Sequence, residues 1–236
     1  MTVPRRVAIL APMRSELAPL VRPLSLRRAG SEDGALLSGS IGRVEVVATV
    51  TGIGTRAAAR AAERVLDASP VEHLLVVGIA GGIGPSVAIG DLVLPELVLD
   101  LASGAEHRPA GLGGGAPRGA LVTSDGLILD QAEIARLEGR GAIAIDMETA
   151  AIGAVCERRS CPWSVFRAIS DRADDGSADP AIFGLAGPEG EANLPALARF
   201  ALTRPWRLPE LARLARGSGL ATNAAASAAV AALETL

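Results

Sequence analysis

The sequence predicts an α/β fold in which helices cover both faces of a largely parallel or mixed β-sheet. Short apolar runs rich in Val, Ile and Leu alternate with amphipathic stretches through most of the 236 residues. The composition, 49% hydrophobic and 21% charged, is typical of a packed enzyme-like domain. No stretch before about residue 180 resembles a domain linker. We therefore expect residues 1–236 to form a single domain, with a helical C-terminal extension over about 193–236.

The first half of the chain supplies most of the predicted strands. "RVAILAP", residues 6–12, is a short apolar run ended by Pro12 and predicts a buried strand, with a helix over the "MRSELAPLV" that follows. Further strands are predicted on both sides of a turn at Gly42, over "HLLVVGIAGG" and over "GDLVLPELVLDL", with an amphipathic helix over "TRAAARAAERVLDAS".

The second half continues the alternation and then becomes helical. Strands are predicted over "ALVTSDGLI", "AIAID" and "PWSVFRAIS", and helices over "DQAEIARLEGRG" and "METAAIGAVCERRS". From Pro195 onward three helical pieces are expected: "LPALARFAL", "LPELARLARGSG" and an Ala-rich segment. Leu208, Leu211 and Leu214 form an i, i+3 stripe, so this part should pack onto the body of the protein or onto a partner chain.

Charge and residue usage exclude several classes of function. The net charge of −3 and the pI near 5.5 give no basic footprint for nucleic acid, and aromatic residues make up only 2% of the chain. All 23 basic residues are Arg, so Schiff-base chemistry and a P-loop lysine are excluded. No apolar run reaches the length of a signal peptide core or a membrane span. A cytoplasmic protein is expected.

The cysteines and histidines predict neither a disulfide framework nor a metal site. Cys156 and Cys161 are the only two cysteines, and their spacing matches no zinc motif. His73 and His107 are the only histidines, and we expect both at the surface or in loops. No metal site is predicted.

Acidic residues follow three predicted strands and glycine-rich bends follow others, and ligands of α/β sheets bind where the strands end. Glu16 follows the first strand, Asp146 and Glu148 end "AIAID", and Asp171 ends "PWSVFRAIS". Each has a purely structural interpretation: Glu16 as a solvated helix residue, Glu148 as a first-turn acid favoured by the helix dipole, and Asp171 as a turn residue. Together they predict a cleft for a polar small molecule rich in hydroxyl groups.

Four segments carry a resemblance to a known family. They are "APMRSEL", "TGIGTRAAA", "GIAGGIGPSVAIGDLVLP" and "AIDMETAAIGAVCERRSCPWSVFRAISDRADD", in this order from residue 11 to about 175. Met-Glu followed about two dozen residues later by Arg-Ala-Ile-Ser-Asp is the most specific feature. The chain resembles the nucleoside phosphorylase and nucleosidase superfamily, in particular its methylthioadenosine/S-adenosylhomocysteine nucleosidases. The resemblance implies a three-layer αβα sandwich around a twisted mixed β-sheet.

The resemblance also implies roles for individual residues. Glu148 matches the glutamate that binds the ribose hydroxyls, and Met147 the methionine that packs against the sugar. Asp171 matches the aspartate that protonates purine N7, and Glu16 the glutamate that activates water. An acid at the base and a base at the water suit cleavage through an oxocarbenium-like sugar, and no cofactor is implied. Further substrate-binding positions are Asp146, Ile79, Ala80, Gly81, Leu127, Ile128 and Ser170.

Three residues depart from the pattern of these nucleosidases. Asp146 stands where a longer Glu is usual, Ile79 replaces a small polar residue, and Leu127 replaces a phenylalanine that stacks on adenine. The tail beyond residue 190 resembles that of hopanoid-associated members, which are thought to remove adenine from an adenosylated lipid precursor.

Three functions remain open on the sequence alone. The first is hydrolysis of the N-ribosyl bond of a 5′-modified purine nucleoside. The second is phosphorolysis, for which Arg14, Thr51 and Arg56 would bind the anion, although Glu16 would repel phosphate. The third is a silent relative that binds a nucleoside or a partner, suggested by Asp146, Ile79 and Leu127. The resemblance also implies a homo-oligomer, with a dimer favoured, and a 5′ substituent that is methylthio, homocysteinyl, futalosine-like or hopanoid.

Overall fold

A computed structural model describes residues 6–29, 36–68, 70–113, 115–173 and 193–236, and the single positions 182, 185 and 187. The strands are β1 (Arg6–Ala11), β2 (Arg27–Arg28), β3 (Leu37–Ile41), β4 (Val44–Val50), β5 (His73–Gly82), β6 (Leu92–Val93), β7 (Leu97–Asp100), β8 (Glu106–His107), β9 (Ala120–Thr123), β10 (Ala142–Asp146) and β11 (Trp163–Arg172). The helices are α1 (Arg14–Val21), α2 (Thr55–Ala68), α3 (Gln131–Gly139), α4 (Thr149–Arg158), α5 (Leu194–Thr203) and α6 (Leu208–Glu234), with a short 3-10 helix at Pro205–Arg207.

The strands form one mixed sheet. Its order is β2-β3-β4-β1-β5-β10-β9-β7-β8, and β11 pairs with both β5 and β6. The pairs of β1 with β4, of β1 with β5 and of β5 with β11 are parallel, whereas β10 runs antiparallel to β5. Long crossovers between parallel neighbours carry the helices onto the faces of the sheet. The predicted mixed α/β sheet is confirmed.

Two apolar cores on opposite faces of the sheet make the three layers. Leu74 and Val76 of β5 point toward α2 and α4, while the alternate residues Leu75 and Val77 point toward α1 and α6. This alternation follows from the two-residue period of a strand, and both sets are apolar because helices cover both faces. The three-layer αβα arrangement predicted from the resemblance is therefore confirmed.

The long strand β5 changes partners along its length. Its first part pairs with β1, from His73 to Val76, and its last two residues, Gly81 and Gly82, pair with β10. Strand β11 accompanies it throughout, from Leu74 to Gly82. As a result the carboxyl ends of β5, β10 and β11 converge, and Gly81 lies opposite both Ile145 and Asp171.

Two predicted strands are shorter in the structure. "GDLVLPELVLDL" forms two short strands, β6 and β7, separated at Pro95, because proline has no N–H to donate to a ladder. "ALVTSDGLI" remains extended in the sheet only to Thr123, and residues 124–130 form a loop.

Residues 208–234, predicted as two helical pieces, form the single helix α6. The glycines within this helix do not end it. Gly217 instead permits close packing, because a Cβ at this position would lie 2.2 Å from the carbonyl oxygen of Ser170. A stripe of buried small residues continues that packing surface: Ala221, Ala225, Ala229 and Ala232. Of the predicted Leu stripe, Leu208 is exposed and Leu214 is half-buried.

The expectation for the histidines was wrong. His73 and His107 are both buried, each 8% exposed. His73 Nε2 lies 2.8 Å from Ser164 Oγ, and His107 Nδ1 lies 2.8 Å from Glu157 Oε2. Burial lowers the pKa of His73 to about 4, which makes it a neutral hydrogen-bonding residue inside the sheet.

In the ranges of the chain given above, no helix combines the length and the apolar character that crossing a bilayer requires.

Candidate active site

A cavity of about 310 Å³ lies where β1, β5, β10 and β11 end. Its lining includes most of the site residues predicted from the sequence: Glu16, Ile79, Ala80, Gly81, Leu127, Ile128, Asp146, Met147, Glu148, Ser170 and Asp171. The other described residues in the lining are Pro12, Met13, Ile53, Gly126, Ile145, Arg167, Ala173, Ile182, Leu214 and Ser218. The cavity is thus walled by strand ends, by loops that follow strands and by helix α6.

A buried arginine holds three acids together at this cavity. Arg167, in the middle of β11, has no exposed side-chain surface. Its Nη2 lies 2.6 Å from Asp146 Oδ2 and 3.1 Å from Glu148 Oε2, and its Nη1 lies 3.7 Å from Glu16 Oε1. We call these four residues the Arg167 cluster. With all three carboxylates ionised its net charge would be −2, so burial favours retention of a proton within it.

Glu16 is held in the cluster through its backbone hydrogen bonds. The N–H of Met13 donates to Oε2 at 2.7 Å, and the N–H of Ile79 donates to Oε1 at 2.8 Å. Burial raises the pKa of Glu16 to about 7, and the positive charge of Arg167 limits the rise. A carboxyl group with this pKa is divided between its acid and base forms at neutral pH, which suits proton transfer.

Glu148 is not the first-turn helix residue that one interpretation of the sequence suggested. It precedes α4, and its side chain makes no capping hydrogen bond to that helix. Instead the N–H of Gly54 donates to Oε1 at 2.9 Å, and Arg167 Nη2 donates to Oε2 at 3.1 Å. Burial raises the pKa of Glu148, against the opposing effect of Arg167. Its carboxylate therefore lines the cavity where the loop before α2, strand β11 and the start of α4 meet.

Asp146 faces the protein interior more than the cavity. Its carboxylate accepts hydrogen bonds from Thr123 Oγ1 at 2.7 Å and from the hydroxyl of Thr149, in addition to its ion pair with Arg167. Both carboxylate oxygens of Asp146 are therefore bonded to protein groups. The shorter Asp side chain at this position thus orients Arg167.

Close approach of backbone to the Arg167 cluster depends on Gly78. A Cβ at this position would lie 2.3 Å from Glu16 Oε1 and 2.5 Å from Arg167 Nη1. Such distances require the charged groups to shift, so glycine is needed for the observed geometry.

The rest of the cavity is lined largely by apolar side chains on a loop and on α6. Gly126, Leu127 and Ile128 belong to the loop between β9 and α3, and Leu214 belongs to α6. We call these four residues the apolar wall. Leu127 and Ile128 are half-buried, and a Cβ added at Gly126 would have no neighbour within 4 Å.

Asp171 lies beside the cavity at the end of β11. It is half-buried, and Ser170 Oγ donates to its Oδ1. The backbone of Gly81 lies alongside, since a Cβ there would be 3.7 Å from Asp171 Oδ2. A ligand in the cavity can therefore contact this carboxyl group, as general acid catalysis requires.

The three residues predicted for an anion site are not brought together at the cavity. Among the described residues, its lining includes neither Arg14, Thr51 nor Arg56. Arg14 and Arg56 are exposed, and the hydroxyl of the buried Thr51 donates to the carbonyl of Gly52 at 2.7 Å.

Arg167 was missed by reasoning from the sequence, although a signal was present. It interrupts the run "PWSVFRAIS", which is otherwise suited to a strand buried on both faces. A charge at the centre of such a strand requires buried countercharges. In the part of the chain that the structure describes, no three His, Cys, Asp or Glu side chains are grouped so that they could hold a metal ion.

Comparison with known proteins agrees with this architecture. The nucleosidase for 5′-methylthioadenosine and S-adenosylhomocysteine from Neisseria meningitidis, solved with methylthio-immucillin-A, shares 19% identity at a TM-score of 0.75, over 98% of this chain and 100% of that one. The enzyme of the same name from Colwellia psychrerythraea 34H, solved with adenine, shares 21% identity at a TM-score of 0.76, over 99% and 96%. Futalosine hydrolase from Helicobacter pylori shares 18% identity at a TM-score of 0.74, over 98% of this chain and 98% of that one.

At these identities the likeness concerns the fold. A family model for the phosphorylase superfamily matches residues 6–110 and 100–203, which together make up most of the sequence. The chain therefore belongs to the phosphorylase superfamily.

Proposed function

We propose that the protein hydrolyses the N-glycosidic bond of a 5′-modified purine nucleoside, releasing the base and a ribose derivative. The observation that carries the proposal is that Glu16, Glu148 and Asp171 line one cavity, with the pKa of Glu16 raised to about 7. The structurally similar nucleosidases and futalosine hydrolase support it.

In this proposal Asp171 donates a proton toward N7 of the purine as the bond from N9 to C1′ breaks. The leaving base is then neutral, and the sugar develops oxocarbenium character. Glu148 accepts hydrogen bonds from the ribose hydroxyls, and Met147 packs against the sugar. Water attacks C1′ and gives its proton to Glu16. The base, the proton and the new C1′–OH bond account for all reacting atoms.

Water is favoured over phosphate as the nucleophile. Three acids surround Arg167, so an incoming phosphate dianion would meet more negative than positive charge. Arg14, Thr51 and Arg56 do not line the cavity among the described residues. Phosphorolysis remains the second candidate, since Arg167 itself faces the cavity.

Base release from a panel of 5′-substituted adenosines tests the reaction. The panel carries methylthio, homocysteinyl, carboxylated futalosine-like and hopanoid substituents, with and without phosphate. Hydrolysis predicts a free ribose derivative and no effect of phosphate, whereas phosphorolysis predicts a ribose 1-phosphate. Turnover that requires phosphate would refute hydrolysis.

Two substitutions distinguish an enzyme from a silent relative. We expect Glu16→Gln and Asp171→Asn each to lower kcat by at least about a hundredfold, the usual contribution of a general acid or base. Asp67→Asn and Glu234→Gln, at exposed positions, serve as controls. Absence of base release from every nucleoside in the panel, or turnover unchanged in both site variants, would contradict the proposed mechanism.

We further infer that residues 1–236 act as one domain that includes the C-terminal helices. The packing of α6 against β11 and its contribution of Leu214 and Ser218 to the cavity support this view. A role in purine nucleoside breakdown, a homodimeric state and a cytoplasmic location are part of the same proposal and follow from the resemblance to nucleosidases.

A further inference from the structure

Helix α5 presents an apolar stripe to solvent. Leu194, Ala198 and Leu202 follow one another at four-residue spacing on α5, and Trp206 lies in the short 3-10 helix that comes directly after it. Leu194, Leu202 and Trp206 are 72%, 83% and 73% exposed, whereas Phe200, on another side of the helix, is buried. We call Leu194, Ala198, Leu202 and Trp206 the Trp206 face. Scattered exposed leucines are ordinary, but three large apolar side chains this exposed within thirteen residues indicate a binding surface.

The same segment is strongly basic in an acidic protein. Residues 193–220 contain five arginines and one glutamate, a net charge of +4, so the remainder of the chain has −7 of the total of −3. Glu210 accepts a hydrogen bond from Arg207 at 2.9 Å. Arg199, Arg204, Arg213 and Arg216 are exposed. Positive charge is therefore concentrated in the same segment of the chain as the exposed apolar side chains.

Phe200 supports the arrangement from within. The guanidinium carbons of Arg204 and Arg207 lie 5.9 and 5.7 Å from the centre of its ring. These cation–π contacts pack two arginines of the segment against its buried side. Helix α6 extends from the end of this segment to the cavity. Its first residue, Leu208, is exposed, and Leu214 lines the cavity. Six residues of a helix separate the two by about 9 Å along its axis.

We propose that the Trp206 face binds the surface of an anionic lipid bilayer, with α5 lying in the plane of the interface. Leucines would enter the boundary between head groups and acyl chains, and Trp206 would occupy the head-group level that tryptophan favours. The arginines would face the negative head groups, each adding about 1 kcal/mol of attraction near the surface. The opposite charges of the arginines and the head groups favour this occupant over an uncharged apolar partner. The proposal does not depend on the reaction catalysed.

Vesicle co-sedimentation of the full-length protein tests it. We expect binding to vesicles of equal parts phosphatidylglycerol and phosphatidylcholine, and little binding to phosphatidylcholine alone. Raising sodium chloride from about 0.1 M to about 1 M should weaken binding, because the Debye length falls from about 10 to about 3 Å. Arg199→Ser and Arg213→Ser should each weaken binding roughly fivefold.

The double variant Leu202→Glu/Trp206→Glu removes the apolar anchors and should weaken binding at least about tenfold. Val21→Glu and Arg60→Ser make the same kinds of change at exposed positions on α1 and α2, and should bind as the wild type does. Circular dichroism verifies folding of every variant.

Three outcomes would overturn the proposal. One is a wild-type protein that does not sediment with anionic vesicles. Another is equal sedimentation of the wild type and the Leu202→Glu/Trp206→Glu variant. The third is absence of vesicle binding together with a dimer, by light scattering, that the double variant converts to monomer, which would assign the face to a second copy of the chain.

Discussion

The Arg167 cluster and the apolar wall contribute to the same cavity but are built in different ways. In the cluster, each carboxylate has backbone, hydroxyl or guanidinium partners inside the protein. Asp146 and Arg167 lie on strands, Glu16 lies in α1, and Glu148 directly precedes α4. In the wall, Leu127 and Ile128 lie on a loop, and a side chain added at Gly126 would meet nothing within 4 Å. The cluster is therefore part of the folded core, whereas the wall can change without disturbing it. We expect reaction type to depend on the cluster and choice of base or substituent to depend on the wall.

The largest loss of stability should come from removing the positive charge of Arg167. Arg167→Met leaves Glu16, Asp146 and Glu148 without their shared cation, and loss of one partner of a buried ion pair costs about 3–5 kcal/mol. Urea unfolding should show this loss near neutral pH and a smaller one at acidic pH, where the acids are protonated. Arg136→Met, which removes a surface ion pair with Glu133 on α3, is the control and should leave the midpoint unchanged. Equal midpoints for both variants would contradict the comparison.

The pH dependence of stability should identify Glu16 as a member of the core. Its pKa is about 7 in the folded protein and 4.5 in the reference state, so the protonated form stabilises the fold. That contribution is complete below pH 4.5 and is lost as the pH rises through 7. Between pH 4.5 and 8, the wild type should lose about 3 kcal/mol relative to Glu16→Gln.

The measurement is urea unfolding of both proteins across this pH range, and parallel curves would refute the raised pKa. Stability falls as the pH rises, but the rate of base release should increase, because the proposed base Glu16 must be deprotonated. The plot of kcat/KM against pH is therefore expected to rise with an apparent pKa near 7.

Alanine substitutions at two glycines measure how tightly the Arg167 cluster and the apolar wall are packed. Gly78→Ala would place a Cβ within 2.5 Å of Glu16 and Arg167 atoms, and should cost about 1–3 kcal/mol as an overpacked site does. Gly126→Ala should change stability by less than about 0.5 kcal/mol. Thermal unfolding of both variants measures the difference, and an equal cost would show that the two regions are equally tight.

The smallest effect on stability is expected in the wall itself. Leu127→Phe should change stability within about 0.5 kcal/mol. Stacking on a purine should raise kcat/KM for adenosine derivatives roughly two- to tenfold, the equivalent of about 0.5–1.5 kcal/mol for an aromatic pair. Leu129→Phe, two residues along the same loop and outside the cavity lining, is the matched control. An equal effect of both substitutions on kcat/KM would remove Leu127 from substrate recognition.

Strand and helix order could be predicted because apolar periodicity is local. The two alternating cores of β5 are visible in "HLLVVGIAGG" as an unbroken apolar run. The double partnership of β5 with β10 and β11 could not be predicted, since it depends on contacts between distant segments. The continuity of α6 was missed for a similar reason: Gly217 is required by the carbonyl of Ser170, which lies 47 positions earlier in the chain.

At the site, the acids could be identified as polar residues at strand ends, but their interactions could not. Asp146 and Glu148 are equivalent in the sequence, one residue apart on either side of Met147. In the structure Asp146 is turned toward Thr123 and Thr149, whereas Glu148 lines the cavity and accepts a hydrogen bond from the N–H of Gly54. Burial and hydrogen bonding decide this difference, and neither is encoded in local spacing.

The packing of Gly217 against β11 has a consequence for the synthesis of the protein. A ribosome releases Glu16 first, Arg167 only 151 residues later, and the Leu214 that helps enclose the cavity after that. Until Arg167 is made, the nascent chain has acids without their cation, and until α6 is made the sheet lacks one of its covering helices. A chaperone that shields exposed strands has a long interval in which to act, and catalytic competence should arise abruptly, when α6 emerges from the exit tunnel.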